Sequence, residues 1–294
     1  MKKFLLISLS VFLFCELKSQ DEFAKLQAGF EKILSDPKNL YGKNKATGKY
    51  YDIRGFKMYA EVYGKGQPIL FIHGNGGSIS SFTKQIPYFA KSYKVIIADS
   101  RAQGKSVDKG DSISYEMMAD DYAALLDAMK IDSAYVVGWS DGGNNGLLLA
   151  IRHPEKVKKL AITGANLRPD TTAVPQGIWD LVVPQYKALK NKVDKNDIEK
   201  GGYKLLRLLV ENPYIAHADL QKISCPVLVI GGDHDVVKVE HTMEIFNNIP
   251  KSFLWILPNS GHSTPIVYDK EFNTKVDAFL RQPFRNFSAV ERFF

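Results

Sequence analysis

From Pro68 onward the chain carries a series of short apolar runs, "PILFI", "YKVIIAD", "AYVVG", "KLAIT", "PVLVI" and "FLWIL". Each is rich in β-branched or aromatic residues and bounded by turn formers, the pattern of a buried strand. Between them lie helix candidates near Ser78 to Ala90, Tyr115 to Lys130, Gly142 to His153, Val239 to Asn248 and Val267 to Leu280. Ahead of them, "KYYDIRGFKMYAEVYG" alternates around Arg54-Gly55 and predicts a hairpin, preceded by an amphipathic helix with Phe23, Leu26, Phe30 and Ile33 on one face. A hairpin followed by repeated strand–helix units predicts an α/β fold: a mostly parallel eight-stranded sheet with helices on both faces. Ligands of such sheets bind outside the carboxyl ends of the strands, so chemistry is expected in the residues that directly follow each strand.

The alternation breaks once. From Leu167 to Ser224 there is no convincing strand, and "IWDLVVPQYKALK" and "GGYKLLRLLVE" read as short helices punctuated by Pro169, Pro175, Pro184 and Pro213. This predicts a small helical cap over 167–224, inserted between two parts of one core, 20–166 and 225–294. Trp179, Tyr186 and Tyr203 are candidates to line a pocket beneath it, although aromatic residues at helical spacing are more often plain packing.

At the strand ends, "GWSDGG" places Ser140 between an apolar strand and a Leu/Ala-rich helix, with Gly138 and Gly142 two residues to either side. This is the G-x-S-x-G pattern of a strained turn that lifts a serine oxygen above the sheet edge. The plainer alternative is a serine capping the following helix. A serine hydroxyl needs a base. Of the six histidines, His262 alone follows the last strand on a glycine-containing loop, in "LWILPNSGHSTP"; His153, His217 and His241 fall on helices or in the cap. An imidazole base needs a carboxylate to orient it. "GGDHD" offers Asp233 and Asp235 after the preceding strand, and Asp235 is preferred because Asp233 can bond its own turn. Donors for a developing oxyanion are expected from the backbone N–H of Asp141, at a helix N-terminus, and of Asn75 in the glycine-rich "HGNGGS".

Composition narrows the remaining choices. With 45% hydrophobic and 24% charged residues over 294 positions, the chain can bury one sizeable core. "MKKFLLISLSVFLFCELKSQ" joins two lysines to an apolar run too short to span a bilayer, which predicts a signal peptide over 1–19, export, and no membrane span in the mature chain. Cys15 suggests a lipid anchor, but bulky Phe14 precedes it, so cleavage near Ser19 or Gln20 is expected instead. That leaves Cys225 as the mature chain's one cysteine, without an internal disulfide. The lysines are scattered rather than interleaved with aromatics in a block, which argues against nucleic acid. Neither "HGNGGSI" nor "DSRAQGKS" completes a nucleotide-binding glycine motif, and "DHD" has no second ligand cluster to make a metal site.

"HGNGGS", "DSRAQGKS", "GWSDGG", "GGDHD" and "SGH", in that order from Tyr50 to Leu280, resemble the α/β-hydrolase family. The resemblance implies a Ser140–His262–Asp235 triad, no cofactor, and a small-molecule ester as partner, with a carbon–carbon bond hydrolase of the meta-cleavage type or a non-catalytic receptor as alternatives. Relatives usually carry glycine where Ala102 stands, so that turn is expected to differ. "GWSDGG" followed by "ITGAN" is similar to the valacyclovirase, or biphenyl hydrolase-like, group of serine hydrolases. That likeness implies that Asp141 contacts a substrate α-amino group; the alternative is a carboxylate that merely favours a first helical turn.

Overall fold

The computed structural model of the chain describes residues 40–293. The leader expected over 1–19 and the helix expected around Phe23 to Ile33 lie outside those residues. The strands are β1 (Gly48–Ile53), β2 (Phe56–Tyr63), β3 (Gln67–Ile72), β4 (Tyr93–Ala98), β5 (Ala134–Trp139), β6 (Val157–Thr163), β7 (Val227–Gly232) and β8 (Ser252–Leu257). They form one eight-stranded sheet in the order β1-β2-β4-β3-β5-β6-β7-β8. β1 and β2 form the expected hairpin, and its turn residues Arg54 and Gly55 both have positive φ, at 42° and 89°. β2 runs antiparallel to β4, and every later pairing is parallel. The chain has the α/β-hydrolase fold.

Side chains of successive strand residues leave opposite faces of a sheet, so the unbroken apolar strands feed two cores. Leu70, Ile72 and Val136 face one side, beneath helices α2 (Tyr115–Ala128) and α3 (Asp141–Arg152). Ile69, Phe71 and Val137 face the other, against Phe82, Phe89 and the helix Asp269–Arg281. Phe71 is fully buried with Phe82 and Phe89 at ring-centroid distances of 5.0 and 5.4 Å.

Two helix expectations need correction. The segment expected as one helix near Ser78 to Ala90 is a 3-10 turn over Ile79–Phe82 and a separate single turn, α1 (Ile86–Phe89). Pro87 lacks an N–H, and in a continuous helix its ring would crowd the carbonyl of Thr83, which disfavours a single helix through both turns. Near the C-terminus a short helix, Thr264–Val267, stops at Tyr268, whose φ of −114° is not helical, and the long helix begins only at Asp269.

Between β6 and β7 lie α4 (Gln176–Asn191), α5 (Asp197–Glu211) and α6 (His217–Leu220). Asn196 caps α5 in a reciprocal box with Glu199. Tyr186 of α4 stacks on Tyr203 of α5 at 5.9 Å, the rings 10° from parallel, which fastens the two helices together. After β7 comes α7 (Val239–Asn248), and the two C-terminal helices are α8 (Thr264–Val267) and α9 (Asp269–Arg281). No helix among the described residues is long and apolar enough to cross a membrane.

Candidate active site

Ser140 occupies the single residue between β5 and α3, at φ 57° and ψ −123°, a backbone region that non-glycine residues rarely enter. The turn is held by its own bonds: Ser140 N–H donates to Thr163 O at 2.8 Å, and Ser140 O accepts from Gly143 N–H at 2.7 Å. The flanking glycines are required by close approach. A Cβ on Gly138 would stand 2.1 Å from Gly142 O, and one on Gly142 would stand 1.9 Å from Ile72 O. The Ser140 side chain makes no helix-capping bond, so the capping alternative does not hold. Its Oγ lies 2.9 Å from His262 Nε2 instead.

His262 sits on the loop after β8, with Nδ1 2.6 Å from Asp235 Oδ1. With Nδ1–H donating to the carboxylate, Nε2 is left as an acceptor for the Ser140 hydroxyl. The imidazole also packs on the backbone of Gly164, where a Cβ would come within 2.6 Å of Cε1. Burial opposes a charge on His262, but the Asp235 carboxylate, helped by Asp141, more than offsets this and raises its pKa above the ordinary value. Asp235 is itself desolvated, and the facing imidazole together with the Val237 and Gly232 N–H groups brings its pKa below the usual range. Asp233 is turned elsewhere: it accepts from the N–H groups of Asn259 at 2.9 Å and Ser260 at 3.0 Å, and so ties the β7 turn to the His262 loop.

The loop after β3 is fixed from below by His73, which is buried. Its Nδ1–H donates to Gly74 O at 2.8 Å and its Nε2 accepts from Ser100 N–H at 2.9 Å, while burial lowers its pKa to about 4, so it stays neutral. Above it, Gly76 N–H donates to Gln103 Oε1 at 2.7 Å and Gly77 N–H to Gly74 O at 3.1 Å. The Asn75 N–H has no acceptor among the described residues. The Asp141 N–H, first in α3, has no acceptor within its helix either. Both belong to residues that line the same cavity as Ser140.

Asp141 is only 3% exposed. Its carboxylate accepts from Asn75 Nδ2 at 2.9 Å and from the Tyr115 hydroxyl, and burial, which outweighs these bonds, raises its pKa to about 6. The other Asn75 amide hydrogen reaches Leu205 O of α5 at 3.2 Å. Asn144 and Asn166 extend the polar floor through two mutual bonds, of 3.0 and 2.9 Å.

These groups open on a cavity of about 420 Å³ whose opposite wall is apolar, with Ile178, Trp179 and Val182 from α4 and Leu209 from α5. Trp179 is thus where the sequence suggested, whereas Tyr186 and Tyr203 are not among the lining residues: their rings are consumed by stacking on each other. Sequence reasoning missed Tyr115, Trp139 and Asn166. Tyr115 reads as the first apolar residue of a helix capped by Ser114, and nothing in its own neighbourhood points to Asp141. His153, His217 and His241 bond Asp120, Glu244 and the Leu167 N–H respectively, away from the cavity. Cys225 is a buried free thiol, and no cluster of metal-ligating side chains occurs among the described residues.

Residues 67–200 match the alpha/beta hydrolase fold family. The chain is 26% identical over 260 residues to 2-hydroxymuconate semialdehyde hydrolase of Pseudomonas sp. (strain CF600), covering 78% of this chain and 92% of that protein. It is 24% identical over 274 residues to serine hydrolase BPHL of Homo sapiens, covering 87% and 94%. Among solved structures, Est816, an N-acyl homoserine lactone degrading enzyme, superposes with a TM-score of 0.66 at 26% identity, covering 79% of this chain and all of that one.

Proposed function

The chain belongs to the α/β-hydrolase fold family, and we propose that it is an exported serine hydrolase of small carboxylic esters. The observation that carries this reading is the unbroken chain of bonds from Ser140 Oγ through His262 to the buried Asp235, facing one cavity. As Ser140 Oγ attacks the ester carbonyl, its proton passes to His262 Nε2, and Asp235 stabilises the imidazolium that results. The N–H groups of Asn75 and Asp141 receive the oxyanion. Collapse of the tetrahedral species returns the proton to the leaving alcohol, and water, activated by the same imidazole, releases the acyl group from Ser140. The helices between β6 and β7 act as a cap that supplies an apolar wall for the substrate. Export rests on the pattern of Met1 to Ser19.

Asp141 refines the substrate class. Among the described residues no lysine or arginine lines the cavity, so this desolvated carboxylate faces it without a permanent cation. A substrate ammonium next to the ester would supply one, which favours α-amino esters. The same carboxylate argues against a dienoate cleaved at a carbon–carbon bond, because a second carboxylate in a desolvated pocket would be repelled. Hydrolysis of an α-amino p-nitrophenyl ester, its des-amino analogue and a meta-cleavage dienoate by purified protein tests the proposal. We expect turnover in that order of preference. Turnover of the dienoate with neither ester accepted contradicts it.

A further inference from the structure

The Ser–His–Asp chain leaves one bond in the site unused. Trp139, the residue before Ser140, donates its indole N–H to the backbone carbonyl of His262 at 2.8 Å, across 123 positions of sequence. Strand alternation puts its ring on the face shared with Val137, edge-on to the fully buried Phe82 at 6.4 Å and 76°. The indole is therefore held from behind, with its N–H directed at the loop. That loop is otherwise tied down at its start, where Asp233 takes the N–H groups of Asn259 and Ser260 and His234 N–H donates to Ser260 O. The neighbours of His262 are held too, since Gly261 O accepts from Thr264 Oγ1 at 3.2 Å and Ser263 O from the Ile266 N–H at 2.9 Å. At His262 itself, Asp235 and Gly164 restrain the imidazole ring, and among the described residues the indole N–H is the one hydrogen-bond partner of its main chain.

We infer that Trp139 is a positioning residue: its indole N–H locks the main chain of His262 to the strand that presents Ser140, so that base and nucleophile move as one body. The inference rests on the serine hydrolase reading. A base displaced by about 1 Å costs on the order of 100-fold in rate, and without the indole bond the peptide of His262 is held through its neighbours and its ring alone, which leaves room for such a displacement.

The test replaces Trp139 with Phe, which keeps a ring against Phe82, and separately with β-(3-benzothienyl)alanine, which keeps the indole shape but has sulfur in place of N–H. Both proteins are assayed on an accepted ester and with a fluorophosphonate. For each we expect kcat and the labelling rate to fall about 10- to 100-fold, KM to stay within about twofold, and the apparent pKa of the acidic limb to be unchanged, because Asp235 still faces the ring. The benzothienyl protein decides the matter if the Phe variant does not fold. Wild-type kcat in that isostere, or a loss confined to KM, overturns the inference while leaving Ser140 chemistry intact. A folded wild type that takes no label and turns over no ester removes the hydrolase reading, and this inference with it.

Discussion

Asn75 Nδ2 lies 2.9 Å from Asp141 Oδ2, so the two residues proposed to supply the oxyanion donors beside Ser140 are also joined through their side chains. Asp141→Asn keeps the shape and the backbone N–H while removing the charge. A charge-assisted contact to a substrate ammonium contributes about 1.5 to 3 kcal/mol, or roughly 10- to 150-fold in kcat/KM. Wild type is therefore expected to prefer an α-amino ester over its des-amino analogue, and the variant to lose that preference while still hydrolysing the des-amino ester. Equal losses on both would assign Asp141 to local geometry alone.

The same substitution has a predicted effect on stability. Burial raises the Asp141 pKa from 3.8 to about 6, so ionising it in the folded protein costs free energy that the unfolded chain does not incur. That cost is absent below pH 4, grows between pH 4 and 6, and levels off above, at up to about 3 kcal/mol. Denaturant melts of Asp141→Asn should show a stability gain over wild type that appears only as pH rises through this window. A difference independent of pH would mean that the carboxylate is not desolvated as the structure has it.

His262 must be neutral to accept the Ser140 proton. Because Asp235 and Asp141 raise its pKa against the effect of burial, kcat/KM is expected to fall on acidification with a midpoint above the ordinary imidazole value of about 6.5. Asp235→Asn should move that midpoint down as well as lowering the rate. A midpoint well below 6 in wild type would contradict the pairing.

Ala102 has φ 61°, so the turn after β4 adopts the left-handed backbone that favours glycine even though it carries a Cβ. That conformation costs an alanine about 1 to 2 kcal/mol, whereas glycine loses about 0.4 to 1 kcal/mol through the entropy of its unfolded chain. Ala102→Gly should therefore be neutral to slightly stabilising in thermal melts, and Ala102→Val clearly destabilising, since a β-branched residue tolerates this region worst. A destabilised glycine variant would show that the methyl group's packing outweighs the backbone strain.

What could be read from the sequence was whatever is encoded locally. Each strand from β3 onward is a contiguous apolar run, and Ser140, Asp235 and His262 all follow strand ends, so the parallel sense of those strands was enough to bring them to one edge. Asp233 was set aside because it could bond its own turn, whereas in the structure its carboxylate takes the Asn259 and Ser260 N–H groups of the next strand's loop, a partner that no local pattern shows. The parts that could not be read depend on distant packing. Tyr115 meets Asp141 only because α2 crosses α3, and the Trp139 bond joins the end of β5 to the loop after β8 across 123 positions of sequence. The α4 face that reaches the cavity, Ile178 and Val182, looks like any amphipathic helix, and Tyr186 and Tyr203 look just as suited until their stacking is seen.

Ser140→Ala and His262→Ala should each lower kcat on an accepted ester by on the order of 10⁴ or more, and the double variant should be little worse than either, since the two residues act as a unit. Additive losses in the double variant would mean that they contribute independently.

The most direct test of the central claim is peptide-resolved mass spectrometry of the folded protein after reaction with a fluorophosphonate. The account predicts one adduct, on Ser140, which disappears in His262→Ala because the hydroxyl then lacks its base. An adduct on another residue, or none on a protein shown to be folded, would contradict it.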